Sequence, residues 1–308
     1  MLLVRDELRR TVTPGDHAVS IGVFDGVHGG HRLLIQRLLD EARARDLTGG
    51  AITFHPHPVT VVHPDVSFSY LESTERRVEL LRELGVAFVS VLTFTSELQQ
   101  VAAADFTRVL VEEARMRLLV VGEDFRLGRG GEGNGERLRA IGVEQGYEVI
   151  AVPLLEDGAG VARISSTRIR EALAAGEMEE VASLLGRPYA IRGPVLHGDH
   201  RGRGIGFPTL NIGVSPDRAL PPNGVYVTRA LVDDQAHGAV TNIGTRPTFD
   251  GQAVTVETHL LDFEGNLYGR VVTVELLHRL RGEQKFGGVE ALVAQIERDV
   301  QETRQWFA

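Results

Sequence analysis

No cysteine occurs in the chain, so disulfides and thiolate-bound metals are excluded, and nothing calls for an oxidising compartment. Lysine is almost missing: Lys285 is the single one among 33 Lys and Arg residues. No G-x-x-x-x-G-K-[ST] string exists, which closes the P-loop route to a nucleotide. No apolar run reaches the roughly 18 residues that span a bilayer, and Met1–Arg10 is too charged for a secretory segment. The formal net charge is −9, with no long basic stripe. The expectation is a cytoplasmic protein that binds neither nucleic acid nor membrane, and a homo-oligomer stays compatible with such a sequence. Polyphosphates would have to be held locally, by Arg, His, backbone N–H groups and metal ions.

What is present fits two domains in 308 residues. Up to Gly186, strand-like and helix-like segments alternate. Apolar runs at Ala18–Val23, Gly50–Phe54, Ala87–Leu92, Leu118–Val121 and Glu148–Val152 are separated by segments with apolar residues at helical spacing, among them His31–Arg45, Thr74–Leu84, Ala102–Arg115 and Thr167–Ala175. This rhythm predicts a doubly wound α/β domain with a parallel sheet. After Gly186-Arg187-Pro188 short strand-like runs follow one another: Tyr189–Val195, Val225–Ala230, Ala239–Ile243, Thr255–Leu261 and Val271–Leu277. They predict a small antiparallel β-barrel. A last helix places Val289, Leu292, Ile296 and Val300 on one face, expected to be buried against the barrel. The domains are read as residues 1–186 and 187–308.

Chemistry-bearing residues cluster at the ends of predicted strands. The first strand runs into Gly22-Val23-Phe24-Asp25-Gly26-Val27-His28-Gly29-Gly30-His31, where a helix begins. Free N–H groups at a helix N-terminus bind anions. His28 and His31 there can stabilise charge on an α-phosphate and a leaving pyrophosphate without a covalent intermediate. Ser165, Ser166, Thr167 and Arg168 open another helix and can all donate to phosphate oxygens. His57 in His55-Pro56-His57-Pro58 and Asp124 in Asp124-Phe125-Arg126-Leu127-Gly128 follow the second and fourth strands, where ligands of open α/β sheets bind. Gly128–Gly133 also fits G-x-G-x-x-G but opens no strand-to-helix unit, so it is read as a flexible loop.

In the second half, Gly193, Gly198, Gly202, Gly204 and Gly206 form a glycine-rich stretch able to wrap phosphates. It leads into Phe207-Pro208-Thr209-Leu210-Asn211-Ile212. On a strand Thr209 and Asn211 share a face, and their oxygens suit Mg²⁺, whose other ligands are water and phosphate. In Thr255-Val256-Glu257-Thr258-His259 the carboxylate of Glu257 can accept the proton of a substrate alcohol during phosphoryl transfer.

These strings resemble those of the bifunctional riboflavin kinase/FAD synthetases. The first half is similar to the adenylyltransferase module, a nucleotidylyltransferase domain in which H-x-G-H (His28 to His31) and I-S-S-T-x-I-R (Ile164 to Arg170) hold ATP. His55 stands where the family usually has an acidic residue, and Leu127 where it has Phe. The second half is similar to the riboflavin kinase module over nearly its full length. It carries Gly206 to Asn211, Gly224-Val225-Tyr226, Asn242 to Phe249 and Glu257-Thr258-His259. The resemblance implies that Thr209 and Asn211 bind Mg²⁺–ATP and that Glu257 is the base. It implies phosphorylation of riboflavin to FMN, then adenylylation of FMN to FAD, with ATP in both steps. On residues alone, a nucleotidylyltransferase for another phosphate substrate and a flavin-binding sensor without turnover stay open.

Overall fold

The structure, a computed structural model, describes residues 1–155, 163–197, 204–233, 235–248 and 251–308. The chain divides into two compact units, Met1–Ser166 and Thr167–Ala308.

The first unit is built on a five-stranded parallel sheet in the order β3-β2-β1-β4-β5. Its strands are β1 (His17–Ile21), β2 (Thr48–His55), β3 (Phe88–Thr93), β4 (Met116–Gly122) and β5 (Glu148–Val152). Strands covered on both faces must be apolar on both faces, and they are. Val19, Ile21, Leu119 and Val121 join one buried cluster; Ala18, Leu118, Val120 and Val152 join another. The principal helices are α1 (Leu2–Thr11), α2 (Gly29–Ala44), α3 (Pro58–Val62), α4 (Thr74–Glu83), α5 (Ser96–Gln99), α6 (Ala103–Glu113) and α7 (Gly135–Gln145). Sequence periodicity does not mark α1; it buries Val4 and Leu8 and leaves its charged residues, with Leu2 and Leu3, toward the surface. Its charged surface, the feature that speaks against a secretory segment, belongs to an ordinary amphipathic helix.

The second unit contains α8 (Ser166–Ala175, from Thr167 onward) and α9 (Met178–Leu185), followed by β6 (Tyr189–Leu196), β7 (Leu210–Ile212), β8 (Gly224–Val232), β9 (Gln235–Thr248), β10 (Gly251–Leu260) and β11 (Val271–Arg281). These strands close into a barrel in the order β10-β7-β6-β11-β8-β9. Helix α9 buries Met178, Val181, Leu184 and Leu185 and packs on β6 and β11. Compactness thus divides the chain at Ser166, ahead of the change of rhythm at Gly186. The C-terminal helix, α10 (Val289–Phe307), differs from expectation. Its buried side chains are Asp299 and Thr303, while Val289 is 61% exposed and Leu292, Ile296 and Val300 are half-buried. Inside the barrel, the hydroxyls of Thr228, Thr241 and Thr258 form a buried ladder across β8, β9 and β10, with separations of 2.8 and 2.9 Å.

No helix among the described residues is long and apolar enough to cross a membrane.

Candidate active sites

In the sheet unit, strand order reverses between β1 and β4, and the crevice outside their carboxyl ends is where such sheets bind ligands. Gly22 follows β1 there. The next turn is tight: Phe24 and Val27 both hold left-handed backbone angles, with φ of 54° and 41°. Non-glycine residues in that region are strained and gather at functional sites. Phe24 is buried, and its ring meets His31 edge-on at 5.2 Å. His28 caps α2, its Nδ1 accepting the His31 N–H at 3.4 Å, which leaves Nε2 to carry the proton of the neutral ring. The rings of His28 and His31 stack at 3.6 Å. Gly30 permits this, since a Cβ there would lie 3.2 Å from the His28 ring. Desolvation pushes the His31 pKa well below its ordinary value, and the charges of His28, Arg77 and Arg163 push the same way. His31 is therefore neutral near pH 7, with a buried Nδ1 that has no hydrogen-bond partner among the described residues.

The structure brings Ser166 to this loop: its hydroxyl donates to the Asp25 carbonyl at 2.8 Å. Asp124 takes Arg163 as an ion-pair partner at 2.6 Å. Asp25 and Gly26 lie in the turn, but the Asp25 carboxylate is buried and accepts the N–H groups of Leu71 and Glu72 at 3.0 and 3.1 Å. That placement makes it a loop clamp. His57 caps α3 and lies against Phe68, with ring centroids 4.1 Å apart. Thr167 and Arg168 belong to the second unit, where Arg168 grips Glu180 of α9 at 2.8 Å. The Gly128–Gly133 segment is not the flexible loop expected. Leu127 and Gly133 exchange backbone hydrogen bonds of 3.0 and 2.8 Å, and Glu132 accepts the Ala103 N–H at 2.9 Å. It walls an apolar cleft of about 480 Å³ that also touches Gly22, Phe54, Phe106 and Phe125.

In the barrel unit the site is a row of residues in register across strands. Glu257 on β10 lies opposite Asn211 of β7 and Asn242 of β9. Asn242 lies opposite Val225 of β8, which lies opposite Arg281 of β11. Facing residues of antiparallel strands point to the same side. Glu257, Asn242, Val225 and Arg281 line a cleft of about 590 Å³, with Thr209 beside them and Leu292 and Ile296 of α10 across from them. The apolar face of α10 is half-buried because it lines this cleft. Asp299 secures the helix: its carboxylate takes the Arg281 guanidinium at 3.0 and 2.7 Å and Gln295 at 2.8 Å. Thr209 precedes β7 and does not sit within it, yet it reaches the cleft. His259 holds its segment, Nδ1 donating to the Pro208 carbonyl at 2.8 Å. Sequence reading had not singled out Asn242, although its motif was visible; register alone identifies it. Gly193 belongs to β6, paired with Val272, and not to a phosphate loop. Gly204 is exposed, while Gly206 has φ of 90°, a conformation that favours glycine. Gly198 and Gly202 lie outside the described residues.

The sheet-unit cleft reaches Gly22 and Val23 at the start of the histidine loop, and the barrel cleft joins apolar walls to Asn242, Glu257 and Arg281, which suits a transferase of phosphorus-containing groups with an aromatic substrate. Comparison with known proteins makes this specific. Residues 11–168 match the family model described as FAD synthetase, and residues 185–307 the one described as riboflavin kinase. The bifunctional riboflavin kinase/FMN adenylyltransferase of Escherichia coli (strain K12) is 39% identical over 310 residues, covering 100% of this chain and 98% of its own. That of Bacillus subtilis (strain 168) is 33% identical, covering 99% and 95%. A crystal structure of a Streptococcus pneumoniae protein named a macrolide-efflux protein superposes with a TM-score of 0.88 at 33% identity over 97% of each chain; the name is that protein's and carries nothing over. The chain belongs to the family of bifunctional riboflavin kinase/FMN adenylyltransferases, enzymes that use ATP in both activities.

Proposed function

We propose that the two activities are divided between the two clefts, with residues 187–308 carrying riboflavin phosphorylation and residues 1–186 carrying FMN adenylylation. The carrying observation for the kinase is the register of Asn211, Glu257 and Asn242, which sets a carboxylate between two amides, with Glu257 and Asn242 on the wall of the 590 Å³ cleft and Asn211 beside it on β7. Riboflavin lies with its ring system under Leu292 and Ile296 and its ribityl 5′-hydroxyl at Glu257. Glu257 orients that hydroxyl and accepts its proton as the γ-phosphoryl group of ATP is transferred. Thr209 and Asn211 offer hard oxygen donors to Mg²⁺. Among the described residues no three His, Asp or Glu side chains gather as a metal cage, which suits an ion arriving on ATP with water and phosphate as its other ligands. When bound, Mg²⁺ supplies neutralisation of phosphate charge.

For the second reaction, the FMN ring occupies the 480 Å³ apolar cleft and its phosphate attacks the α-phosphate of ATP, releasing pyrophosphate. His28 and His31 stabilise the charge that builds there, and Ser165, Ser166, Thr167 and Arg168 bind the remaining phosphate oxygens. Gly22, Phe24 and Gly26 shape the loop. Gly198, Gly202 and Gly204 are assigned to the phosphates of the kinase ATP. The protein works in the cytoplasm. The test is product chromatography after incubation with riboflavin, ATP and Mg²⁺. FMN followed by FAD is expected; FMN formed by a Glu257→Gln variant at the wild-type rate would overturn the kinase assignment.

A further inference from the structure

Among the described residues the bulkiest fully buried side chain is a cation, Arg77 of α4. Its guanidinium has only neutral acceptors among the described residues. Nη1 donates to the Val23 carbonyl at 2.6 Å and reaches Thr53 Oγ1 and the Phe54 carbonyl at 3.4 Å. Nη2 donates to Thr74 Oγ1 at 3.1 Å, and the buried Nε has no partner among the described residues. Asp25 acts on it only through space, because the hydrogen bonds seen at that carboxylate come from the Leu71 and Glu72 N–H groups. A buried charge without a hydrogen-bonded counter-ion is costly, and an apolar side chain would fill the space at lower cost. Its retention here calls for a reason connected with what it holds.

What it holds is one peptide. The Val23 carbonyl accepts from Arg77 and also from Thr53 Oγ1, at 2.8 Å. The Val23–Phe24 bond is trans, so its carbonyl and its N–H point in opposite directions. With the carbonyl held by Arg77 and Thr53, the Phe24 N–H is turned away from those two side chains. That N–H has no hydrogen-bond partner among the described residues, and it stands at the left-handed Phe24, whose ring abuts His31. Successive backbone N–H groups around a left-handed residue make an anion-binding concavity. A rotation of this one peptide would replace a donor by an acceptor in front of phosphate.

We infer that Arg77 is a positioning residue for adenylyl transfer, locking the Val23–Phe24 peptide so that its N–H faces the phosphates. The inference rests on the adenylyl site being at His28 and His31. Thr53 shares the task, and neither residue touches substrate.

The full-length Arg77→Met variant tests it, with circular dichroism and thermal unfolding of fragment 1–186 carrying the same change as the control for folding of the sheet unit, and riboflavin phosphorylation as the control for the amount of intact protein. FMN adenylylation should lose about 100-fold in kcat, the scale of one mis-set backbone donor, with KM for ATP changed less than about threefold. Arg77→Lys, which keeps one donor, should return to within about tenfold of wild type. A folded Arg77→Met with wild-type kcat, or one that raises KM alone, overturns the inference. Should Arg77→Met not fold, Thr53→Val decides: about tenfold lower kcat is expected, and unchanged kcat overturns it. A His31→Ala control separates the two levels. If that variant adenylylates FMN normally, the site assignment fails; if it is inactive while Arg77→Met is not, only the role of Arg77 fails.

Discussion

In the sheet unit the site lies where strands stop; in the barrel it lies across strands that continue. The first is assembled from loops that leave β1, β2 and β4 in different directions. It needs internal devices to hold them: the Asp25 clamp on Leu71 and Glu72, the stacked histidines, and Arg77 beneath the turn. The second needs few such devices, because the ladder spaces Asn211, Glu257 and Asn242 by itself. Its one demand is a lid held in place, met by the Arg281–Asp299 pair. A loop-built site can mould itself to a triphosphate, at the cost of strain and buried polar groups. A ladder-built site is rigid from the start.

The sharpest way to break the comparison is to remove chemistry from one unit and read the other. Glu257→Gln should lower riboflavin phosphorylation about 100-fold or more and leave adenylylation of supplied FMN unchanged. His31→Ala should do the reverse, costing FAD formation about 100-fold or more. Steady-state assays of both reactions on each variant check this; loss of both activities together in either variant would show that the clefts are not separate.

Cutting the chain comes next. Fragment 167–308 retains α9 and should make FMN but no FAD. Fragment 187–308 loses the four buried side chains of α9. At roughly 2 kcal/mol for each, partly offset by ordering entropy, it should be less stable by about 3 kcal/mol in urea titrations while still making FMN. On the other side, residues 1–186 should adenylylate FMN, and residues 1–166, without Thr167 and Arg168, should not. Equal stability of the two kinase fragments would make the division at Gly186 the better one.

The parallel sheet, the barrel and the closing helix were all legible, because apolar periodicity changes where the architecture changes. The tight turn from β1 into α2 was legible because glycines cluster between an apolar run and a segment of helical spacing. Other features lie beyond local pattern. Asn242 joins Glu257 on the wall of the barrel cleft through strand register, a long-range pairing. Asp25 looks like a ligand in sequence and is a clamp because two N–H groups 46 and 47 residues away close on it. Arg77 reads as a surface helix arginine beside Arg76, and only the fold puts it inside. The stripe on α10 reads as core and is the roof of a cleft.

The lid pair gives a smaller, still large effect. Asp299 is nearly buried and Arg281 mostly so, with side chains 4% and 16% exposed. Asp299→Asn leaves the guanidinium without its counter-ion, which costs about 3 kcal/mol. Urea unfolding followed through Trp306, the single tryptophan and a residue of α10, should report it. KM for riboflavin should rise, with FMN adenylylation unaltered.

Acid should distinguish the units next. His17, buried with Nδ1 at 2.6 Å from the Ala114 carbonyl, has its pKa lowered by desolvation, as His31 does more strongly. A histidine held neutral contributes its full stability above the unfolded value of about 6.5 and loses it as pH falls through that value toward the folded one. Both residues lie in the sheet unit. Thermal scans between about pH 8 and 5.5 should show FAD-forming activity lost at lower temperature as pH falls, and His17→Gln should flatten that slope. A slope carried equally by the FMN-forming activity of fragment 167–308 would contradict the assignment to these two histidines.

The smallest expected effect concerns the approach to the ladder. Gly206 has φ of 90° and no described neighbour within 4 Å of the place of a Cβ. Gly206→Ala therefore meets a backbone penalty of about 1 kcal/mol and no clash. The strain sits one residue before Phe207, in the segment that His259 holds by the Pro208 carbonyl and that ends in Thr209. Relaxing it would draw Thr209 from the cleft without moving Glu257, whose place depends on strand pairing. A severalfold rise in KM for ATP is expected in the kinase reaction, with kcat nearly kept and with His259→Ala giving an effect of the same kind. If Gly206→Ala lowers kcat instead, the barrel site depends on its loop as the sheet site does, and the contrast between a ladder-built and a loop-built site fails at its rigid end.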